Sequence, residues 1–411
     1  MTFAERETKT LSFSNNGLDR GAVEETFEPW DQTVAHWESE GLVTDFNKRL
    51  TVPVVPTEVG YIYKDRPVEF VDHYYATMVT DPILDFEKLF GIDPVARMAF
   101  RIPFLSYDEK ILEDAEDYFI RFDIDGSTRK YYKNSELVKM VKPVVTDEES
   151  WEVHKANILD AYHKYCTDEN MERKYGPYRE ACARGDISIR FRLTGFFWAP
   201  RDLFDIEEHL FAYYDYPELL KEISRFQMDL YKEQMDKILK IITPNVLFFE
   251  EDLSGKNGPM ISPEIFDEFV APCYREMVPF LKERGVKNIF VDTDGDFTIL
   301  IPNFLAAGIE GFLPVDVNAG IDIVKVRSRF PTVKYIGGFN KLEIIEGPEA
   351  IDAEFARLMP VIRQGGYMPG VDHQAAPATP LENYRYYIKR LSEIMAECRN
   401  ENTALIPAPA L

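Results

Sequence analysis

Three aspartates surround one glycine in the sequence "NIFVDTDGDF", which covers residues 288–297. Asp292 and Asp294 occupy alternate positions directly after an apolar run. If that run is a β-strand, both carboxylates point to the same face at its end, where like charges repel each other. Crowded carboxylates can hold a proton for acid catalysis or bind a metal cation. This pair is therefore the first candidate for a catalytic or metal-binding site.

Polar side chains also follow four other apolar runs in the second half of the chain. They are Glu250, Glu251 and Asp252 after "VLFF", Asp316 after "GFLPV", Asn340 after "YIGGF", and Asp372 with His373 after "YMPGV". Chance places polar groups after one or two strands, but rarely after five in succession. We expect one shared rim, with His373 opposite the two aspartates and Glu251 as a further catalytic candidate. A solvated loop is an equally good interpretation of residues 250–252.

The elements that position these residues alternate between strand and helix patterns. "PNVLFFEED", "VKNIFVDTDGD", "IEGFLPVD", "VKYIGGFN" and "GYMPGVDH" predict strands, and helical periodicity separates them. Such alternation with short turns predicts a parallel sheet with crossover helices, and at least five units in series favour a single (β/α)8 TIM barrel. In such barrels, the C-terminal strand ends form the active site.

The chain divides near a proline-rich stretch, "VPVVPTEVG". Residues 1–59 are predicted to form an N-terminal extension, either a dimer arm or a lid. Residues 60–411 are predicted to form the barrel, with one strand–helix rhythm throughout. A homodimer is compatible with this division.

Composition narrows the class of partner. The formal net charge of -24 disfavours nucleic acid and anionic membrane surfaces. The four cysteines are scattered and predict neither a disulfide framework nor a thiolate zinc site. No export signal opens the sequence and no run of about 18 apolar residues occurs. The sequence therefore predicts a cytoplasmic protein.

Several motifs carry a family resemblance. "GPMISPEIFDEFVAPCY", "IPNFLAAGIEGFLPVDVNAGID", "YIGGFNK" and "GGYMPGVDHQAAPATPLENYRYY" resemble the uroporphyrinogen decarboxylase superfamily, over roughly residues 190–395. The resemblance implies a (β/α)8 barrel and one of two activities, tetrapyrrole decarboxylation or corrinoid-dependent methyl transfer. The decarboxylases open with an arginine-rich "RQAGRY"-like segment, whereas "VEFVDHYYATMVTDPILDF" contains no arginine. The resemblance therefore favours the methyltransferase branch.

The methyltransferases of this superfamily bind zinc through a His-x-Cys-Gly pattern and a later cysteine. Here the first pattern reads Asp292-Thr293-Asp294-Gly295, and His373 stands at the later position. The resemblance thus implies a divalent metal, zinc or iron, held by Asp292, Asp294 and His373. The harder ligands suit an oxygen-containing substrate better than a thiol.

These features together predict an O-demethylase component. A methyl group would pass from a small donor, a methoxylated aromatic, to a corrinoid carried by a separate protein, with His373 or an aspartate as the acid. The candidate substrate-binding residues are Tyr74, Phe197, Trp198, Arg201, Asp316 and Asn340. Arg201 could pair with a substrate carboxylate, although a salt bridge to a neighbouring acid is favoured in so acidic a chain.

Two other functions stay open. A carboxy-lyase acting on a small or tetrapyrrole acid would use His373 as its proton donor, and arginines in the pocket would favour it. A non-catalytic barrel that binds a partner would expose an apolar patch and enclose no pocket.

Overall fold

Helices and strands alternate along most of the chain. The computed structural model describes residues 1–14, 17–27, 29–44, 54–57, 60–63, 83–100, 102, 107–133 and 138–398. The strands are β1 Val54–Thr57, β2 Gly60–Tyr63, β3 Val95–Phe100, β4 Lys110–Asp114, β5 Tyr118–Phe122, β6 Thr128–Tyr132, β7 Val138–Lys142, β8 Ser188–Thr194, β9 Val246–Glu250, β10 Ser254–Gly255, β11 Gly258–Pro259, β12 Asn288–Asp292, β13 Gly311–Leu313, β14 Lys334–Phe339 and β15 Tyr367–Val371. The α-helices are α1 Phe3–Thr10, α2 Asp31–Ser39, α3 Ile83–Phe90, α4 Glu148–Tyr165, α5 Asp168–Tyr175, α6 Arg179–Arg184, α7 Trp198–Phe204, α8 Ile206–Asp215, α9 Pro217–Ile238, α10 Pro263–Ile265, α11 Ala271–Glu283, α12 Ile301–Ala306, α13 Ile323–Arg329, α14 Lys341–Glu346, α15 Pro348–Gln364 and α16 Leu381–Glu397. None of these described helices is long and apolar enough to cross a lipid bilayer.

Seven strands form one curled sheet in the order β15-β14-β13-β12-β9-β8-β3, and every neighbouring pair is parallel. Both faces of the sheet are buried, which is why its strands read as nearly continuous apolar runs. The larger core lies between the strands and the helices. A smaller inner cluster fills the concave face; its members are Leu11, Ala22, Val246, Phe248, Phe290, Leu313, Ile336 and Met368.

The predicted α/β architecture is confirmed, whereas an eightfold closed barrel is not. The described residues supply seven parallel strands, and the N-terminal extension bridges the two edge strands of that sheet. Arg97 of β3 donates a hydrogen bond to the Glu25 carbonyl at 2.7 Å, and the Glu25 carboxylate accepts one from the Val371 amide of β15 at 3.2 Å. Residues 21–26 are all buried. The arm or lid role of residues 1–59 stays a prediction.

An antiparallel meander interrupts the strand–helix rhythm, so the predicted uniform rhythm from residue 60 is wrong in this region. Strands β4 to β7 form their own four-stranded sheet, and every residue of β4 is exposed. Its interior is ionic: Arg129 contacts Asp123 at 2.9 Å and Asp125 at 2.7 Å. A sheet held together by charged side chains lacks the apolar runs that reveal the other strands. The sequence pattern therefore does not predict this four-stranded sheet.

Candidate active site

Strands β9 and β12 lie side by side and carry the acidic residues to one rim. Their register pairs Asp292 with Glu250, and side chains two residues apart share a face of a strand. Counting in steps of two from the inner-cluster residues Phe248 and Phe290 therefore reaches the side chains above the concave face. They are Glu250, Asp252, Asp292 and Asp294.

Asp252, Asp292 and Asp294 form an acidic cluster, with one carboxylate oxygen from each lying within 4.8 Å of the others. The Asp294 amide donates a hydrogen bond to the Asp252 carboxylate at 3.2 Å. The close approach of the two loops depends on Gly295, because a Cβ there would lie 2.4 Å from the Ser254 carbonyl oxygen. Asp252 itself has a φ of 37°, a strained value for a residue with a side chain.

Asp292 is the most isolated member of the acidic cluster. It is only 7% exposed, and within the part of the chain that the structure describes its carboxylate accepts no hydrogen bond and forms no ion pair. Burial raises the pKa of Asp292 well above its ordinary range, and the charges of Asp252 and Glu250 raise it further. Burial and the charge of Asp294 likewise raise the pKa of Asp252 to about 7. Asp252 and Asp292 therefore bind protons more tightly than an aspartate in water does.

Two arginines border the acidic cluster in different ways. Arg192 of β8 donates a hydrogen bond to the Glu250 carboxylate at 2.7 Å, so these two charges offset one another. Arg201 of α7 donates to the backbone carbonyl of Asp252 at 3.0 Å and forms no salt bridge with a carboxylate among the described residues. The favoured pairing of Arg201 with a neighbouring acid is not seen within the described ranges and stays a prediction.

His373 lies where the sequence predicted it, beside the paired aspartates. Its Nε2 atom is 2.8 Å from an Asp294 carboxylate oxygen. Burial works to lower the pKa of His373, but the hydrogen bond and the charge of Asp294 outweigh it, so the pKa is raised. The neighbouring Asp372 is buried and accepts hydrogen bonds from the Asn318 side chain at 3.0 Å and the Lys341 amide at 3.3 Å. These contacts fix the loop that carries the imidazole.

Glu251 faces away from the acidic cluster, into a back pocket formed by residues 195–198 and Tyr274. Its fully buried carboxylate accepts hydrogen bonds from the amides of Phe196 at 2.9 Å, Phe197 at 2.8 Å and Trp198 at 3.0 Å. The Tyr274 hydroxyl also donates to it. This geometry gives Glu251 the task of holding the start of α7, not the predicted catalytic one. Asp252 stands in its place, and the two-residue period of the strand was the signal that could have identified it.

The aromatic candidates divide into a core residue and a partly exposed residue at the rim. Phe197 is fully buried and packs on His209, with ring centroids 4.9 Å apart, so it belongs to the core and not to a substrate surface. Trp198 is partly exposed and carries the Arg201 guanidinium over its ring at 3.8 Å. Tyr74 lies outside the described residues.

Two further candidates serve as helix caps. One carboxylate oxygen of Asp316 accepts hydrogen bonds from the amides of Asn318 and Ala319, and the Asn340 side chain accepts one from the Leu342 amide at 3.2 Å. Such capping satisfies amides that a helix leaves unpaired at its start. Asp316 also has a carboxylate oxygen within 4.8 Å of ligand atoms of Asp372 and His373. The predicted role of Asp316 and Asn340 in substrate binding gains no support from these contacts.

The donor set of the acidic cluster fits a hard divalent cation better than a thiolate-bound zinc. Three carboxylates converge, one of them without a protein partner among the described residues, and oxygen ligands suit such cations. The four cysteines lie elsewhere, two of them buried. Cation binding and proton binding would compete for the same oxygens.

Comparison with known proteins identifies the family. The family model described as uroporphyrinogen decarboxylase (URO-D) matches residues 157–394, more than half of the 411-residue chain. The chain therefore belongs to the uroporphyrinogen decarboxylase family, and the predicted resemblance is confirmed. No curated protein sequence matches the chain significantly.

Solved structures extend the comparison of the fold. A methyltransferase from Methanosarcina mazei is similar with a TM-score of 0.52 at 14% identity, covering 96% of this chain and 99% of that chain. A B12-independent methionine synthase from a Shewanella species is a weaker match, with a TM-score of 0.39 at 12% identity over 82% and 90% of the two chains. At these identities the likeness concerns the fold alone.

Proposed function

We propose that this member of the uroporphyrinogen decarboxylase family is a methyltransferase. It would take a methyl group from a small methoxylated aromatic and pass it to a corrinoid carried by a separate protein, as the demethylating component of an O-demethylase system. The observation that carries the proposal is the buried Asp292 carboxylate, which no described group pairs, in an acidic cluster at the strand ends of this barrel-like fold. A group buried at such a cost is typical of a functional site.

Ether demethylation requires an acid at the oxygen. When the O–CH3 bond breaks, its electron pair stays on the oxygen, and the resulting phenolate leaves more readily if it receives a proton. Asp292 supports this role because burial and the charges of neighbouring carboxylates raise its pKa well above that of an ordinary aspartate. Asp294 and His373, joined at 2.8 Å, lie beside it and could return the proton from solvent.

The methyl acceptor is outside this chain, and the corrinoid, when bound, would supply the nucleophile. The residues of this chain would orient the methyl donor and exclude water from it. Trp198 offers a partly exposed ring at the rim, and the buried apolar inner cluster lies below the carboxylates. The Glu251 back pocket holds the loop from which Trp198 projects.

A divalent cation, zinc or iron, is the alternative occupant of the acidic cluster. Asp252, Asp292 and Asp294 would hold it, with His373 supporting Asp294, and it would supply Lewis-acid polarisation of the ether oxygen. Elemental analysis of the purified protein and of the Asp292→Asn variant separates the two forms of the proposal. A near-stoichiometric metal that is lost in the variant supports polarisation of the ether oxygen by a cation. The absence of metal from both proteins supports proton delivery by Asp292.

The direct test is demethylation with a reduced free corrinoid as acceptor. Purified protein is supplied with methoxybenzenes bearing different ring substituents, and the phenol and the methylated corrinoid are quantified together. Equal amounts of both products, lost in Asp292→Asn but kept in Asp296→Asn, would support the proposal. Asp296 is a matched control because, among the residues that the structure describes, its carboxylate binds the nearby Thr298 amide alone, at 3.0 Å. No methylated corrinoid from any of these donors would contradict it.

A second candidate is a carboxy-lyase, which two arginines near the rim favour. Arg192 is already paired with Glu250, and three crowded carboxylates would repel a substrate with many carboxylates of its own. Release of carbon dioxide from a small acid or a tetrapyrrole, without any methyl transfer, would establish this candidate instead.

A further inference from the structure

Arg201 stands apart from the other arginines of the sheet region. Arg190 is buried against Glu7 and Glu24, and Arg192 is bound to Glu250. Arg201 is partly buried at the rim, and among the residues that the structure describes no carboxylate lies within salt-bridge distance of it. In a chain with a formal net charge of -24, an arginine that forms no salt bridge with any described carboxylate beside the candidate active site calls for a functional explanation.

The side chain of Arg201 is held in place without a salt bridge to any carboxylate in the described part of the chain. One Nη1 hydrogen bond reaches the Asp252 carbonyl at 3.0 Å, and the guanidinium lies over the Trp198 ring at 3.8 Å. The Trp198 ring is itself fixed, since its Nε1 atom donates to Asp202 at 2.8 Å. A guanidinium has five N–H donors, and the Asp252 carbonyl uses only one of them. The geometry therefore presents a rigid, planar set of donors to the rim.

We propose that Arg201, supported by Trp198, binds a carboxylate group of the methyl donor, so that the substrate is a methoxylated aromatic acid. This inference rests on the proposed methyltransferase function and names the substrate class of the same site. A planar guanidinium fork matches a carboxylate with two parallel hydrogen bonds, and the indole ring offers a surface for an aromatic ring.

Direct binding measurements test the carboxylate subsite without any methyl transfer. Calorimetry compares 4-methoxybenzoate and benzoate with their neutral amides, using the wild type, Arg201→Met and Arg201→Lys. We expect both acids to bind the wild type more tightly than the amides, and Arg201→Met to weaken acid binding roughly 10- to 100-fold with little effect on the amides. Arg201→Lys keeps the charge but loses the planar pair of donors, so its affinity for the acids should lie between those of the wild type and Arg201→Met. Arg225→Met, an exposed change on α9, is the matched control.

The outcomes separate this inference from the proposed function. Equal binding of acids and amides by the wild type would overturn the subsite even if Arg201→Met failed to fold. Unchanged acid binding by a folded Arg201→Met would overturn it as well, and would leave Arg201 the task of supporting the strained Asp252 backbone. If acids bind through Arg201 but no methoxybenzoate gives up its methyl group to a corrinoid, the subsite stands and the methyltransferase proposal fails.

Discussion

Glu251 and Asp252 are adjacent in sequence, yet their carboxylates lie in two regions that differ in how many hydrogen-bond donors surround a buried carboxylate. In the back pocket, three backbone amides and the Tyr274 hydroxyl surround the Glu251 carboxylate. In the acidic cluster, Asp252 and Asp292 face other carboxylates, and Asp292 has no hydrogen-bond donor among the described residues. The strand period sends the two neighbours to opposite faces of the sheet.

The difference separates a structural charge from a functional one. Burial raises the pKa of Glu251, but four hydrogen bonds act against that rise and offset part of the cost of burying its charge. Removing the acceptor should therefore leave buried donors unpaired and damage the fold. The Asp292 carboxyl receives no hydrogen bond from any described residue, which costs stability and leaves it available to act on a ligand. Each of the following changes should affect one region and spare the other.

The largest effect is expected on catalysis when Asp292 is changed to Asn. The amide keeps the shape of the side chain but cannot deliver a proton, and its neutral oxygen is a weaker cation ligand, so the rate of methyl transfer should fall roughly 100- to 10,000-fold. Stability should stay within about 1 kcal/mol, or rise, because an uncompensated buried carboxyl is removed. Steady-state kinetics and urea unfolding measure the two quantities. If the variant is strongly destabilised while its folded fraction keeps the wild-type rate, Asp292 has a structural role and not a catalytic one.

Glu251→Gln should show the opposite pattern. Its amide group must face backbone N–H donors, leaving at least one of them without an acceptor, and unfolding free energy should fall by about 3 kcal/mol. The folded fraction, assayed at low temperature, should keep most of its methyl-transfer rate. A large rate loss without loss of stability would move Glu251 into the catalytic group.

His373→Gln sharpens the comparison within the rim. The change removes a charge-assisted hydrogen bond to Asp294, and we expect a rate roughly 10- to 100-fold lower with little change in stability. Kinetics across a pH series should show the wild-type dependence on a protonated imidazole disappearing in the variant. An unaltered rate would leave His373 without a role in the reaction.

The smallest effect is a gradual dependence on pH from Asp252. Folding raises its pKa to about 7, so the native state binds this proton more tightly than the unfolded chain, whose aspartates titrate at about 3.9. Its contribution to stability is complete below about pH 4 and is lost as the pH rises through about 7. Urea unfolding at several pH values should therefore show a steeper loss for the wild type than for Asp252→Asn. Parallel curves for the two proteins would speak against the raised pKa.

Sequence patterns predicted much of the second half of the fold. The strand–helix order from β9 to α16 followed from apolar runs and periodicity, because parallel strands buried on both faces leave an unmistakable sequence signal. The antiparallel meander of β4 to β7 was missed because ionic contacts such as Arg129 with Asp123 replace apolar ones in its interior. The bridging of β3 and β15 by Glu25 depends on contacts between residues 72 and 346 positions apart in the sequence, which no local pattern encodes.

The candidate site was predicted in part for related reasons. The proximity of Asp292, Asp294 and His373 followed from strand ends that meet at one rim. Glu251 was chosen over Asp252 because the end of β9 was known only to within a residue or two, and a shift of one residue exchanges the two faces. Asp316 and Asn340 also follow strands, but a strand end is often a helix start, where such residues act as caps.

The most direct test of the central assignment is the protonation state of Asp292 near neutral pH. Infrared difference spectra between the wild type and Asp292→Asn isolate the C=O stretch of a protonated carboxyl from those of other buried acids. The raised pKa of Asp292 predicts such a band in the metal-free wild type at pH 7, absent from the variant. If the difference spectrum shows only an ionised carboxylate, Asp292 is compensated after all, and the contrast between the two regions fails.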